Sequence, residues 1–177
     1  TQQARLYDRG MSVDAFRDIL VAGDIELPDP LPEAVQEEIR FIQNGYPTGF
    51  QEGMNRSFKY APWCRQQLAQ AGLPTDLVWL AMVESWFKPH AKSRAGATGM
   101  WQFMSATGRR YGLQIDSYVD ERYDWKKCTR AAIMYLTDLR DMFDGNWGLA
   151  LSGYNMGEAG VERVVNSRGD TNIWTLI

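Results

Sequence analysis

The chain is short of the residues that hold metals and build redox centres. Its 177 residues include two cysteines, Cys64 and Cys128, and one histidine, His90. A zinc site usually draws three or four ligands from Cys, His and carboxylates. Neither a C-x-x-C nor an H-x-x-x-H spacing is present, so no metal site is expected. Neither cysteine lies in a local catalytic motif. Each reads as a small buried hydrophobe; the alternative is a Cys64–Cys128 disulfide, which would imply an oxidising compartment. Positive charge is not in excess either, with 19 Lys and Arg against 22 Asp and Glu. Phosphate contacts need clustered cations, so nucleic acid is excluded as a partner. No stretch approaches the roughly 20 apolar residues of a membrane span. No signal-peptide pattern is read at the start of the chain, Thr1, and a removed leader is the expectation.

What is present suits a packed globular core: hydrophobic residues make up 45% and charged residues 23%. The length suits one domain with a short extension. Convincing strand alternation is missing, and helical spacing dominates. Ser12 caps a short segment with Val13, Phe16, Ile19 and Leu20, stopped near Gly23. After the proline-rich "ELPDPLP", a helix is predicted from about Pro32 to Gly45, with Val35, Ile39 and Ile42 inward. "NGYPTGF" reads as a loop, and the change of texture there marks residues 1–50 as a helical accessory segment.

From residue 51 the chain reads as one helical domain. Pro62 is expected to open a helix that Gly72 stops, and Pro74 to open the next. Ser105 is expected to cap "ATGRRYG". Asp124 caps a long helix carrying Cys128, Ala132, Tyr135, Leu136, Leu139, Met142 and Phe143, ended by Gly145. Asn146 starts "WGLALSGYN", and a short helix follows Gly157. The predicted class is all-α.

One carboxylate stands out. Leu77, Leu80, Ala81 and Glu84 fall at i, i+3, i+4 and i+7, which places Glu84 on a core-facing or cleft-facing stripe. Burial disfavours the ionised form and raises the pKa, as a general acid acting on a glycosidic oxygen requires. The structural alternative is a glutamate bonded to a helix terminus. The following "SRAGATGMWQFM" adds Gly96 and Gly99, which allow positive φ or close backbone approach. It also brings Gln102, whose amide can donate to and accept from sugar hydroxyls. Later, "SGYNMG" sets Tyr154 and Asn155 among small residues. Of seven tryptophans, Trp86 and Trp101 are the better candidates for a cleft.

The order "ES" (Glu84-Ser85), "GATGMWQFM" (96–104) and "GYNMG" (153–157) resembles the lytic transglycosylase domain of the soluble lytic transglycosylase type. More distantly it resembles goose-type lysozyme. "GLPTDLVWLAMVES", "VDERYDWKKCTRAA" and "NWGLALSGYNMGE" are similar to the membrane-bound lytic murein transglycosylase D group. The resemblance covers about residues 55–177 and implies a lysozyme-like fold. It implies cleavage of the β-1,4 bond between N-acetylmuramic acid and N-acetylglucosamine of peptidoglycan, with 1,6-anhydromuramoyl products. Carried over by position, Glu84 matches the single catalytic acid/base and Ser85 completes its motif. Ser93 matches a serine contacting the glycan or stem peptide, and Gln102 and Met104 match cleft residues. Tyr154 and Asn155 match the motif facing the glutamate, and His90 has no family role.

Ordinary glycoside hydrolysis uses two carboxylates. No second acid stands in the motif segments. Asp116, Asp120, Glu121, Asp124 and Glu158 fall near helix starts, where capping explains them. One carboxylate suffices if the substrate supplies the nucleophile, and no metal or organic cofactor enters that scheme. A muramidase using water and a distant acid, and a non-catalytic peptidoglycan-binding module, are the competing readings. A monomer is expected; the resemblance implies action on glycan strands in the periplasm or cell envelope, with anchoring through a removed leader. Gly153 stands where the family usually has a residue such as alanine. The family continues past the position of Ile177 into a Glu-Thr-x-x-Tyr segment behind the catalytic glutamate, so residues 51–177 are expected to be a catalytic domain shortened at its C-terminus. Low activity, restored by the following 20 or so residues, is expected on that basis.

Overall fold

A computed structural model describes residues 28–176. The helix predicted around Ser12 lies outside the described residues. Helix α1, Glu33–Gly45, begins after Pro32 and leaves Val35, Ile39 and Ile42 half-buried, as its spacing requires. The expected loop "NGYPTGF" is not a loop. Tyr46 alone joins α1 to α2, Pro47–Gln70, a helix of 24 residues. Pro47 sits in its first turn, where the fixed φ is pre-organised and no amide hydrogen is needed. Phe50 then donates its amide to the Tyr46 carbonyl at 2.8 Å.

Pro62 does not open a helix either; it lies inside α2. Its ring forfeits one backbone hydrogen bond. Tyr60, Ala61, Cys64 and Leu68 are buried around it, and their packing outweighs that local preference. The division between residues 50 and 51 therefore falls within a continuous helix. At Gly53, a β-carbon would meet the Met82 Sδ at 2.8 Å and the Trp86 ring at 3.0 Å. Glycine there lets α2 approach the helix that carries Glu84.

Gly72, at φ +69°, stops the chain as expected. A 3-10 turn, Thr75–Trp79, leads into the short α3, Leu80–Ser85. After a loop, α4 spans Ser105–Arg110. Met104, not Ser105, occupies its N-cap position, with no side-chain cap bond. Helix α5, Trp125–Met142, is capped by the Asp124 carboxylate, which accepts from the amides of Lys126 and Lys127. Helix α6, Trp147–Met156, starts under the Asn146 side chain, which accepts from Leu149 N. Helices α7, Glu158–Arg168, and α8, Ile173–Leu176, follow.

Among the described residues there are isolated bridges but no strand, so the all-α reading holds. The core gathers Cys128, Ala132, Tyr135, Leu136 and Leu139 of α5 against Cys64 and Leu68 of α2 and Val78, Ala81, Phe87 and Met100. Met142 departs from the predicted stripe: it ends α5 and is exposed. Both cysteines are buried and unbridged, so burial rather than a disulfide describes them.

Candidate active site

Glu84 sits near the end of α3 on the stripe begun by Leu77 and Ala81, which are buried. The helix stops abruptly because Trp86 and Phe87 both adopt φ +55°, turning the chain into the 88–104 loop. Glu84 itself is half-buried. Among the described residues it has no hydrogen-bond or ion-pair partner, and burial pushes its pKa above the ordinary value of 4.5. It is therefore a carboxyl able to hold a proton, not one tied to a helix terminus.

The neighbouring loop is built by its own backbone. Thr98 and Phe103 exchange both amide–carbonyl bonds at 3.0 Å, and Gly99 N donates to Ala91 O at 2.8 Å. Within this tight turn Gln102 takes φ +50° and donates its side-chain amide to Gly99 O at 2.8 Å. That leaves the side-chain oxygen to accept from a ligand. Ser93 closes the preceding turn, its hydroxyl accepting from Ala97 N at 3.0 Å.

Two side chains from other elements fasten this loop. The Ser85 hydroxyl, buried, donates to Met100 O at 2.7 Å and accepts from Lys88 N at 3.1 Å. Its sequence-predicted place in the site is thus that of a bolt between α3 and the loop. The Tyr154 phenol of α6 donates to Trp101 O at 2.8 Å. Its pKa is raised well above 10, chiefly by burial, with further contributions from Cys128 and from Glu84. Tyr154 thus stays neutral beside Glu84. Met104 and Asn155 are exposed at the ends of the same two segments, where a ligand can reach them.

Trp101 is not a sugar platform. It is fully buried and its indole donates to the Thr129 hydroxyl at 2.9 Å. Trp86 stays half-buried, edge-on to Phe50 with centroids 6.2 Å apart. His90 is an exposed loop residue stacked on Tyr123. Capping accounts for only two of the other acids. Asp116 accepts from the amides of Tyr118 and Val119, and Asp120 and Asp124 cap helical turns. Glu121 pairs with Lys127, and Glu158 with Arg110 at 2.7 Å. A cavity of about 570 Å³ opens elsewhere, between residues such as Phe143, Leu149 and Glu162, and none of the predicted site residues lines it.

Sequence reasoning missed Arg122 and Thr129. Arg122 is buried and bonds the carbonyls at both ends of the 96–103 turn; set among acids in "VDERYD", it looks like a surface charge. Thr129 gives no local signal, because its partners Trp101 and Cys64 are remote in sequence.

The profile of the family described as Transglycosylase SLT domain matches residues 62–177. The chain is 33% identical over 183 residues to membrane-bound lytic murein transglycosylase D of Escherichia coli K12, covering 99% of this chain and 40% of that protein. It is 40% identical over 96 residues to peptidoglycan transglycosylase gp16 of Escherichia phage T7, covering 52% of this chain and 7% of that protein. The solved lytic transglycosylase Slt of Pseudomonas aeruginosa superposes with a TM-score of 0.49 at 25% identity, over 78% of this chain and 21% of that one. The chain spans about two fifths of the length of the Escherichia coli relative. The profile match takes in well over half of the chain, including Glu84, the 93–104 loop and Tyr154–Asn155. The chain belongs to the Transglycosylase SLT domain family.

Proposed function

We propose that residues 51–177, entered through α2, act as a peptidoglycan lytic transglycosylase domain, with residues 1–50 as an accessory segment. The observation that carries the reading is Glu84: half-buried, unpaired among the described residues, with a raised pKa and the neutral Tyr154 within electrostatic reach. Protonated Glu84 gives its proton to the glycosidic oxygen as the bond to muramoyl C1 breaks, releasing the N-acetylglucosamine 4-hydroxyl. The carboxylate then takes the proton of the muramoyl C6 hydroxyl, whose oxygen bonds C1. The glutamate ends the cycle protonated, and water is neither consumed nor released. A single acid serves both steps, which agrees with the capping and ion-pair duties of the other acids. Gln102 and Asn155 supply amides for sugar hydroxyls and acetamido groups. Ser93 and Met104 line the approach, and Ser85 and Tyr154 hold its wall.

The names of the relatives support a glycan-strand substrate and a place in the periplasm or cell envelope. No helix among the described residues is long and apolar enough to cross a membrane. The test is mass spectrometry of digested peptidoglycan. Anhydromuramoyl ends, one water lighter than reducing ends, are expected; reducing ends would indicate a muramidase, and an undigested polymer a binding module.

A further inference from the structure

Arg122 does not touch the carboxyl of Glu84, yet it is the best-connected charged side chain near the site. Only 6% of it is exposed. Its Nε and Nη2 grip the two oxygens of Asp120 at 2.9 and 2.7 Å. Asp120 is held below the usual carboxylate range chiefly by that contact, so the pair stays charged. The remaining nitrogen, Nη1, donates to Gly96 O and to Phe103 O, both at 3.0 Å. The backbone joins in: a β-carbon on Gly99 would lie 2.0 Å from the Arg122 carbonyl oxygen. The loop therefore rests on this one residue at its start, middle and end.

What lies between those points are the groups that frame the site. Met100 O takes the Ser85 hydroxyl, Trp101 O takes the Tyr154 phenol, and Gln102 projects from its φ +50° position. We propose that Arg122, with Asp120 as its counter-ion, is a positioning residue that sets the 96–103 loop and, through it, Tyr154 and Gln102 around Glu84. The proposal rests on the reading of Glu84 as the acid. A guanidinium suits the task because its planar fork can hold a carboxylate bidentately and still present a third donor edge. A lysine ammonium has the charge but not the fork.

The test compares the parent with Arg122→Lys, which conserves charge. Tyr154 lies within electrostatic reach of Glu84 and stays neutral, burial holding its pKa well above 10. A change in Glu84 titration therefore reports loop packing rather than a new charge. The Glu84 carboxyl is titrated by 13C NMR, and kcat is measured across pH on peptidoglycan. The lysine variant is expected to unfold cooperatively, to move the Glu84 pKa down toward the ordinary carboxylate value, and to shift the alkaline limb of kcat the same way. A loss in kcat of about 10–100-fold is expected from a misplaced wall. An unmoved Glu84 titration, with activity falling only as the folded fraction falls, would overturn the proposal. If the lysine variant does not fold, Asp120→Glu, which conserves both charges but displaces the fork, is titrated with the same expectation. A parent that releases no anhydromuramoyl ends would sink the transglycosylase reading, while the NMR titration would still decide the role of Arg122.

Discussion

At the scale of single residues, the proposed acid Glu84 ties stability to pH. Its folded pKa lies above the unfolded value because burial disfavours the ionised form. The folded state therefore binds that proton more tightly than the unfolded chain does. Below the ordinary carboxylate pKa this group carries no penalty; as pH rises through the folded pKa, the folded state loses stability. Glu84→Gln is thus expected to match the parent at low pH and to exceed it near neutrality, with urea melts at several pH values as the check. The same substitution should cut turnover by on the order of 10²–10⁴-fold, since an amide neither donates nor recovers the proton. Near-parental digestion by the variant would remove Glu84 from the mechanism. If Glu84 is the proposed acid, activity of the parent is expected to decline as pH climbs through the Glu84 pKa, because only the protonated form can donate.

At the scale of elements, the loop between α3 and α4 is held by backbone geometry as much as by side chains. Gly99 combines φ +87° with a carbonyl 2.0 Å from where a β-carbon would stand. Gly99→Ala therefore meets both a disfavoured backbone region and a collision with main chain. A loss of roughly 3 kcal/mol or more is expected from a clash and strain of this kind, measurable by chemical denaturation. A loss below 1 kcal/mol would mean that the loop can shift off Arg122 without difficulty. At the other end of the scale of severity, Asp124→Ala removes the acceptor for two amides of α5. That should cost about 1 kcal/mol with kcat unchanged, because Asp124 lies outside the groups that frame Glu84.

At the scale of the whole molecule, the two thiols report on the core. Cys64 is pushed up to about 11 and Cys128 to about 12, in both cases chiefly by burial. Neither is exposed. Both are therefore expected to resist Ellman's reagent in the native protein and to label at the rate of global unfolding. Two thiols per chain should appear once the non-reduced protein is unfolded; none would show that the cysteines are bridged. The core that protects them is continuous with the site, since Thr129 bonds Cys64 on one side and the Trp101 indole on the other.

Periodicity and capping chemistry act over one or two turns, and these alone were enough to place Glu84 on an inward stripe, to start α5 at Asp124 and α6 at Asn146, and to exclude a sheet. The ordered motifs likewise single out Gln102, Tyr154 and Asn155 from the sequence alone. Local rules failed where distant contacts overrule them. Pro62 sits inside α2 because the packing of Cys64 and Leu68 outweighs one lost hydrogen bond. "NGYPTGF" became helix around a one-residue joint because Pro47 suits a first turn as well as a loop. Whether Trp101 faced sugar or core, and whether Cys64 and Cys128 paired, depended on what surrounds them in space. The role of Arg122 was decided the same way: its carbonyl partners are 26 and 19 residues distant, and only the folded chain brings them within 3.0 Å of one guanidinium nitrogen.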